Sequence, residues 1–405
     1  MTRNRLVMLA LLTAWVGSAC FKPSADQPGA QAAAKADAGK PGSPVEQPET
    51  EELCGRVLFV ASSADHHGPD QIWQVPAAGG PSTQLLRSGA SVFPAAISPD
   101  ARSLLVLRSE PQPDGKTHDR FGLLALTGEA DAGPAALAAA IGPKDAGLRN
   151  PSWSPDGSWI VFESDANSFR DLYRLGLGSD TLLRLTDNAE GNFEPVVSPD
   201  GQRIAFVSSR DGNAEIYVMT ADGGAPTRVT NSPGDDSAPV WSPDGQSLAF
   251  CSARARERGV DAFVTNLEGT NVQPALREGA LEQSVIVSGL AYSPDGSLLA
   301  YTELVPKGGV ASIVIVRAAT GELVARTGTA GTKTVDEQPS WSPDGKHLVF
   351  ARSQDQRSDI ARVRADGSGL ELLTDGAGLY WLPRWVADPG CDRVAPLVVP
   401  VAGQG

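Results

Sequence analysis

The sequence predicts an all-β fold: a seven-bladed β-propeller of four-stranded antiparallel blades, its ring closed by N- and C-terminal strands in one blade. Three observations predict it. A five-residue turn motif returns at a near-constant period, a strand-and-turn pattern fills each period, and a broken copy of the motif near the C-terminus supplies what the first unit lacks. The motif stands as Trp341-Ser342-Pro343-Asp344-Gly345. It recurs at 153–157, 197–201, 241–245 and 292–296, with an earlier copy at Ile97-Ser98-Pro99-Asp100-Ala101. Its serines lie at 98, 154, 198, 242, 293 and 342, giving intervals of 56, 44, 44, 51 and 49 residues. A repeat of about 40–45 residues has the length of one four-stranded propeller blade.

Within a period the strands follow in order. Residues 204–208 are apolar, Asp211-Gly212-Asn213 turns, residues 215–220 alternate, Asp222-Gly223-Gly224 turns, residues 227–230 form a short strand, and Pro239-Val240-Trp241 leads into the next motif. Six residues after each motif aspartate stands Val106, Phe162, Phe206, Phe250, Tyr301 or Phe350. A large apolar residue in fixed register with a turn is what interlocking sheet faces require. Two units are padded, by an excursion at 110–119 with an Ala-rich stretch at 135–140, and by residues 254–258; these are expected in surface loops.

Three strands at 57–61, 71–75 and 83–86 precede the first motif, so that blade lacks its inner strand. Pro383-Arg384-Trp385-Val386-Ala387-Asp388, 44 residues after Pro339-Ser340-Trp341-Ser342-Pro343-Asp344, keeps the Pro, Trp and Asp and supplies it. This closure places Cys54 and Cys391 side by side, and a Cys54–Cys391 disulfide is expected in an oxidising compartment. Cys251 is expected to be a small buried hydrophobe.

The chain has 34 Lys and Arg against 48 Asp and Glu and a net charge of −14. An acidic body without a basic run argues against nucleic acid as partner. Arg3 and Arg5, an apolar run at 6–16 and the small residues Gly17, Ser18 and Ala19 before Cys20 resemble the bacterial lipoprotein signal. That resemblance implies a signal peptide at 1–19, a lipidated Cys20 as mature first residue, and a membrane anchor of two or three acyl chains. Residues 20–52, rich in Ala, Pro, Gly and charge, form a disordered linker with a span of about 30 Å. The propeller then occupies 53–392 and a tail 393–405.

The run from Ile204 through Arg210-Asp211-Gly212-Asn213 to Met219, ahead of Arg228-Val229-Thr230 and Pro239-Val240-Trp241-Ser242-Pro243-Asp244-Gly245, closely resembles the repeat of TolB-type β-propellers. The resemblance implies a propeller that binds envelope partners. Related propellers gate the active sites of dipeptidyl and prolyl peptidases, but no Gly-x-Ser-x-Gly elbow is present.

Other chemistry is sparse. His66 and His67, beside Asp65 and Asp70, could touch a metal, but a polar loop explains them; His118 and His347 have no nucleophile nearby in sequence. No catalytic residue, metal site or cofactor is assigned. The acidic residues before third strands, Asp70, Asp171, Glu215, Asp261 and Asp359, are read as turn residues or arginine partners. Strand direction puts the Ser-Pro-Asp-Gly turns on one face and the loops joining blades on the other. Those loops are expected to hold Asn192, Phe193, Glu194, Asp235, Asp236, Asp336, Glu337, Tyr380 and Trp381, exposed aromatics amid carboxylates suited to a protein or cationic peptide. The expectation is a monomeric, non-catalytic lipoprotein of the outer membrane, facing the periplasm or cell surface, that offers its propeller to an envelope protein or peptide. The alternative is a metal-dependent lyase or hydrolase acting on an envelope or extracellular polymer.

Overall fold

The structure, a computed structural model, describes residues 53–62, 69–111, 117–126, 146–179, 181–254, 259–277, 285–305, 309–328, 333–354, 357–376, 378–388 and 391. The signal peptide, Cys20, the linker, His66, His67 and the C-terminal tail lie outside them. Every regular element among the described residues is a β-strand, and no helix there is long and apolar enough to cross a membrane.

Apart from the unit that joins the chain ends, each unit is an antiparallel sheet read in chain order. In one, Asn192–Val197 pairs with Arg203–Ser208, which pairs with Glu215–Thr220, which pairs with Thr227–Arg228. The following unit repeats it with Asp236–Trp241, Ser247–Ser252, Asp261–Asn266 and Gln273–Pro274. The inner strands of successive units, Val92–Ile97, Leu148–Trp153, Asn192–Val197, Asp236–Trp241, Ile286–Tyr292, Val335–Trp341 and Leu379–Val386, pack each against the next. Phe93 against Trp381 joins the first of these to the last. Part of the excursion at 110–119 is corrected: Ser103–Pro111 and Thr117–Ala125 are two long strands paired out to Pro111 and Thr117, so these residues extend a hairpin, whereas residues 112–116, 135–140 and 255–258 of the expected padding lie outside the described ones.

Period-two alternation makes the units stack. Ile204 and Phe206 face back into a cluster with Trp159, Val161 and Leu172, whereas Ala205 and Val207 face forward to Trp241, Leu248 and Phe250. Phe162, Phe206, Phe250 and Phe350 are fully buried in such clusters. Burying each phenyl ring contributes about 1.5–3 kcal/mol.

The ends of the chain meet as one sheet. Arg56–Ser62 pairs antiparallel with Leu379–Val386, with Val57 opposite Trp385, and with Gln71–Pro76 on its other side. Cys54 and Cys391 form a disulfide across 337 residues, with Cα atoms 5.6 Å apart. Val57, Phe59 and Trp385 of this sheet pack on Val349 and Ile360 of the unit before it.

Candidate functional site: the channel rim

The Ser-Pro-Asp-Gly turns are built identically from their own residues. In each quoted copy the serine hydroxyl donates to the aspartate, whose Oδ1 also accepts the backbone N–H two residues on, as at Ser198, Asp200 and Gln202. These bonds hold the carboxyls of Asp100, Asp200 and Asp295 below the usual range and that of Asp156 down at about 2, the largest cause at Asp100 and Asp156 being the serine hydroxyl. Each turn leans on the one before it: an added Cβ at Gly201, Gly296 or Gly345 would meet Pro155, Pro243 or Pro294 at 3.2–3.4 Å. The indoles of Trp153, Trp241 and Trp341 donate to the carbonyls of Ala96, Val196 and Ala291 in the preceding inner strands at 3.0–3.2 Å. Trp385 donates instead to Cys54 across the seam at 3.1 Å. The motif's serine, aspartate and indole groups are thus spent on the scaffold. A cavity of about 490 Å³ lies there, lined by Pro199, Trp241, Pro243 and Tyr292 among others.

The opposite ends of the inner strands differ from the sequence expectation. Asn192, Phe193, Glu194, Asp236, Asp336, Glu337, Tyr380 and Trp381 are not in loops between units; they belong to the inner strands themselves, and Asp235 directly precedes one. The reason is a β-bulge. Register shifts fall between Arg149 and Ser152, Phe193 and Val196, Ser237 and Val240, Ser288 and Ala291, and Glu337 and Ser340. The residue at the shift takes a left-handed backbone: Asn150 (φ 47°), Glu194 (52°), Ala238 (52°), Gly289 (64°), Gln338 (62°) and, in the last inner strand, Leu382 (51°). All but Gly289 precede a proline. Proline removes the ladder donor, the chain buckles, and the strand continues beyond the bulge by two or more residues.

The bulges are tied to one another around the channel. Glu194 Oε2 accepts the Ala238 N–H at 2.6 Å, and Gln338 Oε1 accepts the Leu382 N–H at 2.7 Å. Thr302 Oγ1 accepts from Gln338, and buried Glu163 accepts from the Glu194 N–H at 2.7 Å and the Asn150 amide at 2.5 Å. Burial pushes the Glu163 carboxyl up, these donors acting against it.

Past the bulge, side chains alternate between two environments. Asn192, Asp236 and Asp336 are fully buried and meet arginines from the second hairpin: Arg210 at 3.1 Å, Arg254 at 2.5 Å and Arg352 in two bonds of 2.7 Å. The same arginines lie over Phe206, Phe250 and Phe350 at 5.1–5.7 Å. Burial nevertheless pushes the Asp236 carboxyl up to about 6, against the pull of Ser252 and Arg254. These three expected contact residues are therefore interior network, unavailable to a partner. Asp235 accepts from the Ala214 N–H at 3.1 Å, and Tyr380 packs edge-on against Phe59 at 5.3 Å. Of the acids before third strands, Asp171 and Glu215 are arginine partners, of Arg184 at 2.6 Å and Arg228 at 2.9 Å.

The next position along is half-buried in every inner strand: Phe93, Arg149, Phe193, Ser237, Ser288, Glu337 and Trp381. Around this rim the chemistry changes from unit to unit, in contrast to the turn face. Phe93 and Trp381 make an aromatic pair, Arg170 lies over Phe193 at 5.5 Å, and Arg149 meets Asp165 at 3.6 Å. Burial, with neighbouring Asp336, pushes the Glu337 carboxyl up to about 7. Below the rim, at the level of the bulges, lies a cavity of about 240 Å³ lined by Phe93, Asn150, Glu194, Ala238, Gly289 and Leu290 with their neighbours. Among the described residues no group of three or more His, Cys, Asp or Glu is placed to hold a metal ion. Buried Cys251 donates its thiol to the Val287 carbonyl at 3.5 Å, and burial pushes that thiol up. The signal for the rim was present in the sequence as a residue-proline pair recurring with the motif.

Comparisons with known proteins agree with this geometry. A stretch of 59 residues, 15% of the chain, is 39% identical to an uncharacterized protein of Agrobacterium fabrum and covers 20% of that protein's length. The fold is similar to that of TolB from Acinetobacter baumannii (17% identity, 82% of this chain and 66% of that chain, TM-score 0.51). It is also similar to a periplasmic gluconolactonase from Pseudomonas aeruginosa (18% identity, 82% of this chain and 99% of that chain, TM-score 0.58). Residues 185–387, half of the chain, match the TolB beta propeller domain, and the chain belongs to that family.

Proposed function

We propose that this chain is a lipid-anchored cell-envelope protein whose seven-bladed propeller holds out its channel rim to a protein or peptide partner and performs no catalysis of its own. The observation that carries the reading is the contrast between the two faces. The turn face repeats one hydrogen-bonded device from unit to unit, whereas the rim varies at each inner strand, from Phe93 through Arg149 and Ser237 to Glu337 and Trp381. A recognition surface needs variety on a rigid support, and the tied bulges supply the support. The Cys20 signal and the linker at 20–52 would place the propeller at the outer membrane, within the reach of a short tether.

The test is photo-cross-linking in the native envelope from Ser237 on the rim and, separately, from Gln202 on the turn face. The reading expects one discrete adduct from Ser237 and none from Gln202; adducts from Gln202 alone would overturn it. A second reading, a propeller hydrolase, is suggested by the likeness to gluconolactonase, which is a likeness of fold. Turnover of a lactone or envelope polymer by the purified protein would favour that reading.

A further inference from the structure

We propose that Trp381, Phe93 and Glu337 form a site for a cationic side chain, lysine or arginine, of a partner peptide; this rests on the interaction reading above and names the chemistry of what the rim would take.

The three residues stand at equivalent rim positions on the inner strands Val335–Trp341, Leu379–Val386 and Val92–Ile97. The Trp381 and Phe93 rings have centroids 5.5 Å apart with planes inclined at 56°, so they form an open corner and not a stack. Both are half-buried, and Phe93 also lines the cavity beneath. Two aromatic faces set at an angle attract a cation lying within about 6 Å of their centres. The aliphatic stem of a lysine would lie along them as its charge reached the carboxylate.

Glu337 supplies that carboxylate, and it differs from its neighbours. Asp236, Asp336, Glu215 and Glu303 all have arginine partners, whereas the Glu337 carboxylate has no hydrogen-bond or ion-pair partner among the described residues. A half-buried acid without a counter-charge is costly to ionise, and an arriving ammonium supplies the missing charge. Arg149, the one cation among the seven rim positions, is already engaged with Asp165. The backbone beneath the site is held in place, because Gln338 and Leu382, which follow Glu337 and Trp381, are joined by the 2.7 Å hydrogen bond. The site therefore requires little ordering on binding.

The experiment titrates the purified chain with acetyl-Gly-Lys-Gly-amide and with its uncharged counterpart, acetyl-Gly-norleucine-Gly-amide, by ligand-observed NMR. The lysine peptide is expected to bind at least tenfold more tightly than the norleucine peptide. Glu337→Gln, which keeps shape and removes charge, should abolish that preference. Trp381→Leu should weaken the lysine peptide about tenfold, with thermal melting reporting whether it folds, and Gln246→Ala on the turn face should change nothing. Equal binding of the two peptides, or a lysine preference that survives Glu337→Gln, would overturn the proposal. If the lysine peptide fails while Ser237 still cross-links to a partner, this site falls and the interaction reading stands; if Ser237 also captures nothing, both fall.

Discussion

Gln338 Oε1 accepts the backbone N–H of Leu382, 44 residues further along the chain, at 2.7 Å. Glu194 does the same for Ala238 across the same sequence separation. In these two pairs the side chain that holds the next bulge comes from a residue itself in the left-handed region, so backbone irregularity and tertiary fastening share one position. Gln338→Leu removes the acceptor and leaves a buried N–H unmet, and it should cost about 1–3 kcal/mol. Gln338→Gly should cost less, since glycine relieves the positive φ while losing the same acceptor. Urea denaturation of the two variants measures the difference.

Ala101 occupies the turn position that is glycine in the other quoted copies, with φ of 58° against 68–72° at Gly157, Gly201, Gly245, Gly296 and Gly345. A Cβ in this region costs about 1–2 kcal/mol, partly offset by the extra freedom glycine has when unfolded. Ala101→Gly should therefore raise stability by about 0.5–1 kcal/mol. Gly245→Ala should lower it by a similar amount, read from the shift in denaturation midpoint at unchanged slope.

The disulfide joins the two ends of the one sheet whose strands are not contiguous in sequence. Cys54→Ser with Cys391→Ser should lower stability by about 2–5 kcal/mol. Because Trp385 also donates to the Cys54 carbonyl, the seam should remain closed in native conditions without the disulfide. Melting curves with and without reductant, in the parent and in the double variant, should coincide only in the double variant.

Stability should fall as pH rises through the weakly acidic range. Glu337 titrates near 4.5 when unfolded and is pushed up to about 7 when folded, so the native state holds the proton more tightly across that window. The stability associated with neutral Glu337 is present below about pH 4.5 and lost once pH passes about 7. Asp236, pushed up to about 6, acts in the same direction at lower pH. With the partial exposure of Glu337 taken into account, the loss is about 1–2 kcal/mol. Glu337→Gln should be the more stable protein at pH 8 and should flatten the dependence between pH 5 and 7.5, as followed by thermal melting.

The repeat was readable because its devices are local. Serine, aspartate and glycine at fixed spacing are needed to close one turn, and the apolar residue six positions on, such as Phe206, must return to the same side of the same strand. The closure was readable because Trp385 keeps its place relative to Pro383 although its turn is gone. The rim was misread for a physical reason. Glu194-Pro195 and Gln338-Pro339 look like chain leaving a strand, since proline cannot donate to a ladder, but here the missing donor is absorbed by a bulge and the strand resumes. Nor could charge alone separate Asp336, sealed against Arg352, from Glu337 on the rim: the two are neighbours in sequence on opposite sides of one strand.

The central claim is that the bulge-supported rim, and not the turn face, meets the partner. Hydrogen–deuterium exchange of the full chain, alone and with the envelope partner recovered by cross-linking from Ser237, tests it most directly. Protection is predicted in peptides covering Phe93, Ser237, Glu337 and Trp381, with those covering the turns at Ser198, Ser242 and Ser342 unchanged. Protection confined to the turn peptides would contradict the account.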